Sequence, residues 1–219
     1  MELKRESILC IDLKSFYASC SCIKRGFDPL TTYLAVVGAT DRQGSVVLAS
    51  TPLMKKKYRI KTGSRLFEIP KKKEIHIVNA EMKYYLETSL EVTRILHRYA
   101  SREDIHIYSV DEAFIRVNPV ERIFGDKWSI ARNIKKEIFE ELGLTVAIGI
   151  GENMLLSKLC LDLDAKKTTE GIAEWTYESV PHKLWPVTPL SEMWCIGSRT
   201  QKTLNRMGIV TVGDLAHYP

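Results

Sequence analysis

Apolar and polar positions alternate along this chain with periods that predict a mixed fold of strands and helices. Short apolar runs, partly β-branched, predict strands at 7–12, 32–37, 45–49, 105–110, 113–117, 145–150 and 171–175. Apolar residues at helical spacing predict helices at 15–25, 81–99, 128–142 and 155–163, and Pro52 starts a short lysine-rich helix. With residues 19–79 treated as an insertion, the order is βαββαβ. We therefore predict an α+β fold with a ferredoxin-like core.

The C-terminal stretch has a different pattern, which predicts a helical hairpin. Residues 200–207 and 212–218 each form a short helical segment, and Gly208 with Ile209 makes the tight turn between them. Helix-hairpin-helix modules present backbone N–H groups to a DNA phosphate. Short structural helical hairpins with glycine turns share this pattern, so the pattern alone leaves both interpretations open.

Positive charge is concentrated in one segment. The chain has a net charge of +5, and nine Lys or Arg lie between Lys55 and Lys73 against one acid, Glu68. A localised positive segment is typical of a protein that binds a polyanion such as nucleic acid. A solvated lysine face gives the same pattern, so the charge raises the hypothesis without deciding it.

Size and composition set outer limits. The 219 residues, 45% of them hydrophobic, suit one large domain with small appendages. Residues 1–6 are polar and no apolar run approaches the roughly 20 residues that span a bilayer, so we expect a cytoplasmic location and no membrane partner. Five scattered cysteines predict reduced thiols rather than disulfides or a zinc site.

Three acids stand at predicted strand ends: Asp12 after the first strand, and Asp111 with Glu112 in the central hairpin. In a βαββαβ unit these strands are neighbours, so the three carboxylates meet at one end of the sheet. Clustered carboxylates repel each other unless a cation neutralises them, and hard oxygen ligands suit Mg²⁺. Two such ions activate a 3′-hydroxyl and stabilise a leaving pyrophosphate. An Asp-Glu pair at a hairpin is also typical of an exposed turn, and Asp12 alone is typical of a strand end.

Four motifs follow one another along the chain: 11–19 (IDLKSFYAS), 108–114 (YSVDEAF), 146–167 (from VAIGIG through Lys158 to AKK) and 194–215. Together they resemble the Y-family DNA polymerases, and among them the UmuC-like ImpB/MucB/SamB branch. The resemblance runs from about Ser7 to the end of the chain. It implies template-directed addition of dNTPs to a primer on template DNA, with error-prone translesion synthesis in DNA repair and the SOS response.

The resemblance also implies roles for individual residues. Asp12, Asp111 and Glu112 match the catalytic acids, which with the Leu13 carbonyl bind two Mg²⁺ ions. Tyr17 matches the steric gate that excludes a ribose 2′-OH. The implied nucleotide-binding residues are Ser15, Phe16, Tyr17, Ser50, Lys56 and Lys166. The implied DNA-binding residues are Ile196, Gly197 and Gly208.

The family architecture implies a palm at 1–18 and 80–171, fingers at 19–79, and a helix-hairpin-helix thumb at 172–219. Y-family polymerases also have a little finger domain, which we expect to be absent here. We therefore expect weak DNA binding and poor activity from this chain alone. A sliding clamp or other accessory proteins would bind through the missing C-terminal region.

Four positions depart from the family pattern. Leu53 and Lys56 stand where relatives often carry Tyr and Arg that hold the β- and γ-phosphates, and Lys56 loses the bidentate guanidinium. Lys14 replaces an acid or Asn, and Cys195 replaces a hairpin glycine. These changes put nucleotide affinity and the phosphate-binding turn in question, but not the reaction type.

Two rival hypotheses remain. A nucleotidyl cyclase uses carboxylates and two metals on the same palm fold, but lacks the helical hairpin and the aromatic gate. A non-catalytic DNA-binding or regulatory relative would keep the acids as solvated hairpin residues. Formation of a cyclic nucleotide without primer-template would favour the first, and equal primer extension by wild type and Asp111→Ala would favour the second.

Overall fold

A computed structural model describes residues 4–219 of the protein; residues 1–3, at the start of the predicted palm, lie outside this range. The strands are β1 (Ile8–Leu13), β2 (Tyr33–Val37), β3 (Val47–Ser50), β4 (Ile75–Asn79), β5 (Ile105–Ile107), β6 (Glu112–Arg116), β7 (Val146–Gly151) and β8 (Ile172–Trp175). The helices are α1 (Phe16–Ile23), α2 (Pro52–Tyr58), α3 (Met82–Leu96), α4 (Glu121–Phe124), α5 (Lys127–Leu142), α6 (Met154–Leu163), α7 (Val180–Lys183), α8 (Ser198–Arg206) and α9 (Val212–Ala216). Within 4–219 no helix is long and apolar enough to cross a membrane.

The larger sheet has five strands in the order β5-β6-β1-β7-β8. Strand β1 is antiparallel to both β6 and β7, and β8 adds a parallel strand beside β7. The first four of these strands have the order of a split βαββαβ unit. The predicted α+β fold with a ferredoxin-like core is therefore confirmed, with one strand added at its edge.

Alternation along β1 divides the core in two. Leu9, Ile11 and Leu13 point to one face, where they pack with buried residues of α3 and α5. Ile8 and Cys10 point to the other face, where they pack with α6 and with residues of the helical hairpin. Position 12 continues this second series, so the fold aims Asp12 toward α6.

Helix α6 lies unusually close to the sheet because two glycines of β7 allow it. A Cβ at Gly149 would lie 2.2 Å from the Ser157 carbonyl oxygen, and one at Gly151 would lie 2.3 Å from the Ser157 amide nitrogen. Both atoms are backbone, so no side-chain rotation relieves the clash. The alternating glycines in the third motif thus bring α6 against β7, next to the strand that carries Asp12.

The smaller sheet has the order β3-β2-β4, with its own core beneath α2. The strands β2 and β3, which pair antiparallel, were predicted at 32–37 and 45–49, but β4 was not. β4 has five residues, all of them half-buried or exposed, and it pairs in parallel with β2. A short strand with no fully buried position lacks the apolar run that identifies a strand in sequence.

Two predicted domain boundaries cross observed elements. The start of the fingers at residue 19 divides α1, whose Ala18, Cys20 and Cys22 all join the core beneath α3 and α5. The start of the thumb at residue 172 removes β8 from the sheet to which it is hydrogen-bonded. The assignment of palm, fingers and thumb otherwise remains a prediction.

Candidate active site at the ends of the central strands

Strand pairing brings the predicted acids to one end of the large sheet. Asp12 and Glu112 are register partners in the antiparallel pair of β1 and β6. The amide of Leu13 donates to the Asp111 carbonyl oxygen at 2.9 Å, so Asp111 adjoins the end of β1. Because partners in an antiparallel pair point to the same face, the side chains of Asp12 and Glu112 both face α6.

Two lysines neutralise these carboxylates. The Lys158 ammonium lies 2.8 Å from Glu112 and 3.1 Å from Asp162. The Lys166 ammonium lies 3.0 Å from Asp12 and 2.9 Å from Asp162. Asp162 thus links the two lysines. Sequence reasoning missed Asp162, although its spacing of four residues from each lysine indicates one helical face.

The surroundings of these groups shift their pKa values. Burial raises the pKa of Asp12, and the charges of Asp111 and Glu112 add to the rise, while Lys166 opposes it. Burial acts to lower the pKa of Lys158, but its bonds and charges with Glu112 and Asp162 outweigh burial and raise the pKa. The Cys10 thiol donates to Glu112 at 3.2 Å. The carboxylates therefore lie in a partly desolvated site that needs positive charge.

The three acids do not form a ready metal cluster. Among residues 4–219, no three His, Cys, Asp or Glu side chains are gathered so as to hold a metal ion. The Asp111 carboxylate instead accepts a hydrogen bond from the Ser109 hydroxyl at 2.7 Å. The donor chemistry of Asp12 and Glu112 still fits a hard divalent cation, because both offer carboxylate oxygens, although Lys166 and Lys158 now occupy part of that donor set.

The ring of Tyr17 is held beside the acids. It stacks on Tyr85 with 4.5 Å between ring centroids and an interplanar angle of 13°. Tyr85 is fully buried, and its hydroxyl shares a 2.7 Å hydrogen bond with Ser21. Burial raises the pKa of Tyr17, and the charge of Asp111 contributes to the rise. Tyr17 therefore lies near the acids with a rigid ring beneath it.

The start of α1 has an unusual backbone conformation at Ser15, a predicted nucleotide-binding residue. Ser15 occupies the N-cap position, but its side chain makes no capping bond and its backbone is left-handed, with φ of 51°. Its hydroxyl instead accepts a 2.9 Å hydrogen bond from the Lys55 ammonium. Phe16 is buried in the core. A non-glycine residue with positive φ stores strain, which is common at functional sites.

Two predicted nucleotide-binding residues lie in other surroundings. Ser50 is fully buried, and its hydroxyl donates to the Ile60 carbonyl oxygen at 2.6 Å. Lys56 is exposed and makes no side-chain hydrogen bond or ion pair with any residue in the range 4–219. Lys55, which precedes it on α2, contacts Ser15 instead. Sequence alone did not indicate which of the adjacent lysines faces the acids.

The predicted DNA-binding turns lie in the helical hairpin. Gly197 is the N-cap residue of α8, and the exposed Gly208 takes a φ of 82° between α8 and α9. Ile196 packs against the core shared with α6. Cys195 adopts a φ of 67°, the conformation that a glycine takes without strain. The turn therefore keeps its glycine-like backbone despite the substitution.

Comparison with known proteins identifies both parts of the chain. The impB/mucB/samB family model matches residues 11–162, and the model of the IMS family HHH motif matches residues 177–209. The chain is 53% identical over 218 residues to UvrX of Bacillus subtilis (strain 168), which is named for repair of UV damage. That alignment covers 100% of this chain and 51% of UvrX.

Further relatives and a solved structure extend the comparison. DNA polymerase IV 2 of Bacillus subtilis (strain 168) is 36% identical over 220 residues, which cover 99% of this chain and 52% of that protein. The chain thus spans about half the length of the curated relatives it matches. The crystal structure of DinB from Sulfolobus solfataricus superposes with a TM-score of 0.80 at 23% identity, covering 97% of this chain and 60% of that chain. This likeness concerns the fold alone.

Proposed function

Because this chain belongs to the impB/mucB/samB family, we propose that it carries the catalytic part of a template-directed DNA polymerase. The reaction adds a deoxynucleotide to a primer 3′-end and releases pyrophosphate. Relatives named DNA polymerase IV or associated with UV-damage repair support this reaction and its use in synthesis past damaged bases. The proposal concerns the whole protein, since the chain spans about half of those relatives.

The observation that carries the proposal is the register pairing of Asp12 with Glu112, with Asp111 adjoining. These three side chains and the Leu13 carbonyl would hold two Mg²⁺ ions. When bound, such ions lower the pKa of the primer hydroxyl and neutralise charge on the leaving phosphates. A cation must compete with Lys166 for Asp12 and with Ser109 for Asp111. Lys158 holds the buried Glu112 carboxylate in place through an ion pair of 2.8 Å.

Tyr17 selects the sugar in this proposal. Its ring stacks on the buried Tyr85, so it does not swing away when a ribose approaches. A 2′-hydroxyl would then collide with the ring, whereas a deoxyribose fits. Tyr17→Ala should raise ribonucleotide incorporation at least tenfold relative to the deoxynucleotide. Unchanged sugar selectivity in the variant would remove this role.

The DNA partner is proposed from charge and from the helical hairpin. The predicted DNA-binding residues Ile196, Gly197 and Gly208 flank α8, whose N-terminus offers free N–H groups to a phosphate. The nine cations between Lys55 and Lys73 add an electrostatic surface for the same polyanion. Solved structures with the same fold include a post-insertion binary complex of Dbh DNA polymerase and a ternary complex of Dbh.

Primer extension with Mg²⁺ tests the catalytic assignment. Wild type and Asp111→Ala are compared at micromolar protein and low salt, where weak DNA binding does not limit the reaction. Loss of a metal-binding carboxylate should slow extension by about 10³-fold or more. Ser109→Ala serves as the control, because it removes the partner of Asp111 and keeps the carboxylate. Equal extension by wild type and Asp111→Ala would end the assignment and favour a regulatory DNA-binding protein.

A further inference from the structure

A basic cavity lies next to the proposed catalytic acids. Its volume is about 470 Å³, and it lies between the start of α1, the helix α2 and the strand ends of β7 and β8. The charged side chains that line it are Asp12, Lys14, Lys55, Lys135 and Lys166. Four ammonium groups thus meet one carboxylate, and this excess of positive charge favours an anionic ligand.

Lys55 enters this cavity from α2. Its ammonium donates to the Ser15 hydroxyl at 2.9 Å, which holds the side chain across the gap between α2 and α1. Successive residues of a helix point about 100° apart. Lys56 therefore points elsewhere, and it is absent from the cavity lining.

The cavity lysines lack sufficient counter-charge. Lys166 is paired with Asp12 and Asp162, and Lys135 donates to the backbone carbonyls of Glu170 and Val146. In the described part of the chain, neither Lys14 nor Lys55 has a carboxylate within ion-pair distance. Ammonium groups that share a cavity without carboxylates repel each other, and a bound polyanion would relieve that repulsion.

The pKa shifts agree with this geometry. Burial lowers the pKa of Lys55; the charge of Asp12 opposes the shift, while the charges of Lys166 and Lys14 add to it. Burial likewise lowers the pKa of Lys135, and Lys14 contributes to that shift. The four ammonium groups therefore interact electrostatically within one cavity. A ligand with several linked phosphates can contact them together.

We propose that Lys55, assisted by Lys14 and Lys135, binds the triphosphate of the incoming nucleotide in place of the Tyr and Arg that the fingers helix lacks at Leu53 and Lys56. The inference rests on the proposed polymerase function. The nucleotide contact has moved by one position along α2, from Lys56 to Lys55. Ser15 holds the Lys55 side chain in the absence of the ligand.

Calorimetric titration with inorganic tripolyphosphate and with dATP, in EDTA, tests the inference without metal, DNA or turnover. Lys55→Ala should weaken both ligands about tenfold, because a charge-assisted hydrogen bond is lost. Lys56→Ala is the matched control, since it removes the same charge from the next residue of the same helix. It should change affinity less than twofold. Lys55→Arg should restore most of the affinity.

The outcomes separate this inference from the polymerase proposal. Equal weakening by Lys55→Ala and Lys56→Ala would show general electrostatic attraction and overturn the inference. In a parallel titration with pyrophosphate, weaker binding of that ligand alone by Lys55→Ala, with tripolyphosphate and dATP unchanged, would assign the cavity to the product and also overturn the inference. If Lys55→Ala and Lys56→Ala differ as expected while Asp111→Ala leaves extension unchanged, the triphosphate site stands and the polymerase proposal fails.

Discussion

The lysines on and just after α6 differ from those of the segment 55–73 in whether they have carboxylate partners. On and just after α6, Lys158 and Lys166 are each paired with two carboxylates. In the segment 55–73, none of the nine cations has a carboxylate within 4.0 Å anywhere in residues 4–219. The first group stabilises the site from within. The second group is free to meet a ligand.

A third region, formed by α3 and α5, shows that the number of cations does not decide whether they have carboxylate partners. On α3 and α5, Lys83 pairs with Glu87, Arg94 with Glu91, and Lys136 with Glu140. Arg98, just after α3, bridges to Glu137 and Glu141 on α5. These elements carry many cations, but neighbouring carboxylates balance the charge of the cations named above. We therefore propose that unpaired charge, rather than total charge, marks a surface suited to a polyanion.

The largest expected effect is the loss of stability when the buried ion pair of Lys158 with Glu112 is broken. The side chains of Lys158 and Glu112 are 7% and 9% exposed, so Lys158→Met leaves Glu112 as a buried charge without its cation. The variant should lose about 3–5 kcal/mol of unfolding free energy, measured in urea. Lys61→Met, an exposed fingers lysine, should change it by less than about 0.5 kcal/mol. If Lys158→Met lost less than about 1 kcal/mol of unfolding free energy, the proposed difference between the buried Lys158 and the exposed Lys61 would be contradicted.

The second prediction concerns DNA. Replacing Lys61, Lys71 and Lys73 by Gln should weaken DNA binding about 10- to 100-fold at low salt and reduce the salt dependence of the affinity. Fluorescence anisotropy over a range of salt concentrations measures both. The matched variant replaces Lys83, Arg94 and Lys136 by Gln, which changes the net charge equally.

The matched variant should bind DNA within about twofold of wild type, because its cations are already satisfied by carboxylates. Equal weakening by both triple variants would mean that net charge alone governs binding. Whether a cation has a carboxylate partner would then make no difference to DNA affinity.

Sequence reasoning predicted the meeting of Asp12 with Glu112, because the strand order of a βαββαβ unit follows from element order. It missed the bridge from Lys158 through Asp162 to Lys166, which depends on how closely α6 approaches β7. The family resemblance indicated Lys56 on α2, but it could not show that the adjacent Lys55 contacts Ser15, because the direction of a helical side chain depends on how α2 is set against α1. The pairing of β1 with β6 was thus predictable, whereas the side-chain partners of the acids depended on packing.

The smallest expected effect tests the paired surface by removing one cation. Arg98→Ala breaks the exposed bridge to Glu137 and Glu141 and should cost about 0.5–1 kcal/mol in urea unfolding. DNA affinity should stay within about twofold of wild type. Lys61→Ala should do the reverse, with unchanged stability and weaker DNA binding. If Arg98→Ala weakened DNA binding as much as Lys61→Ala, pairing with a carboxylate would not explain why a cation fails to bind DNA. Opposite responses of the two variants would show that paired cations stabilise the fold, whereas unpaired cations bind DNA.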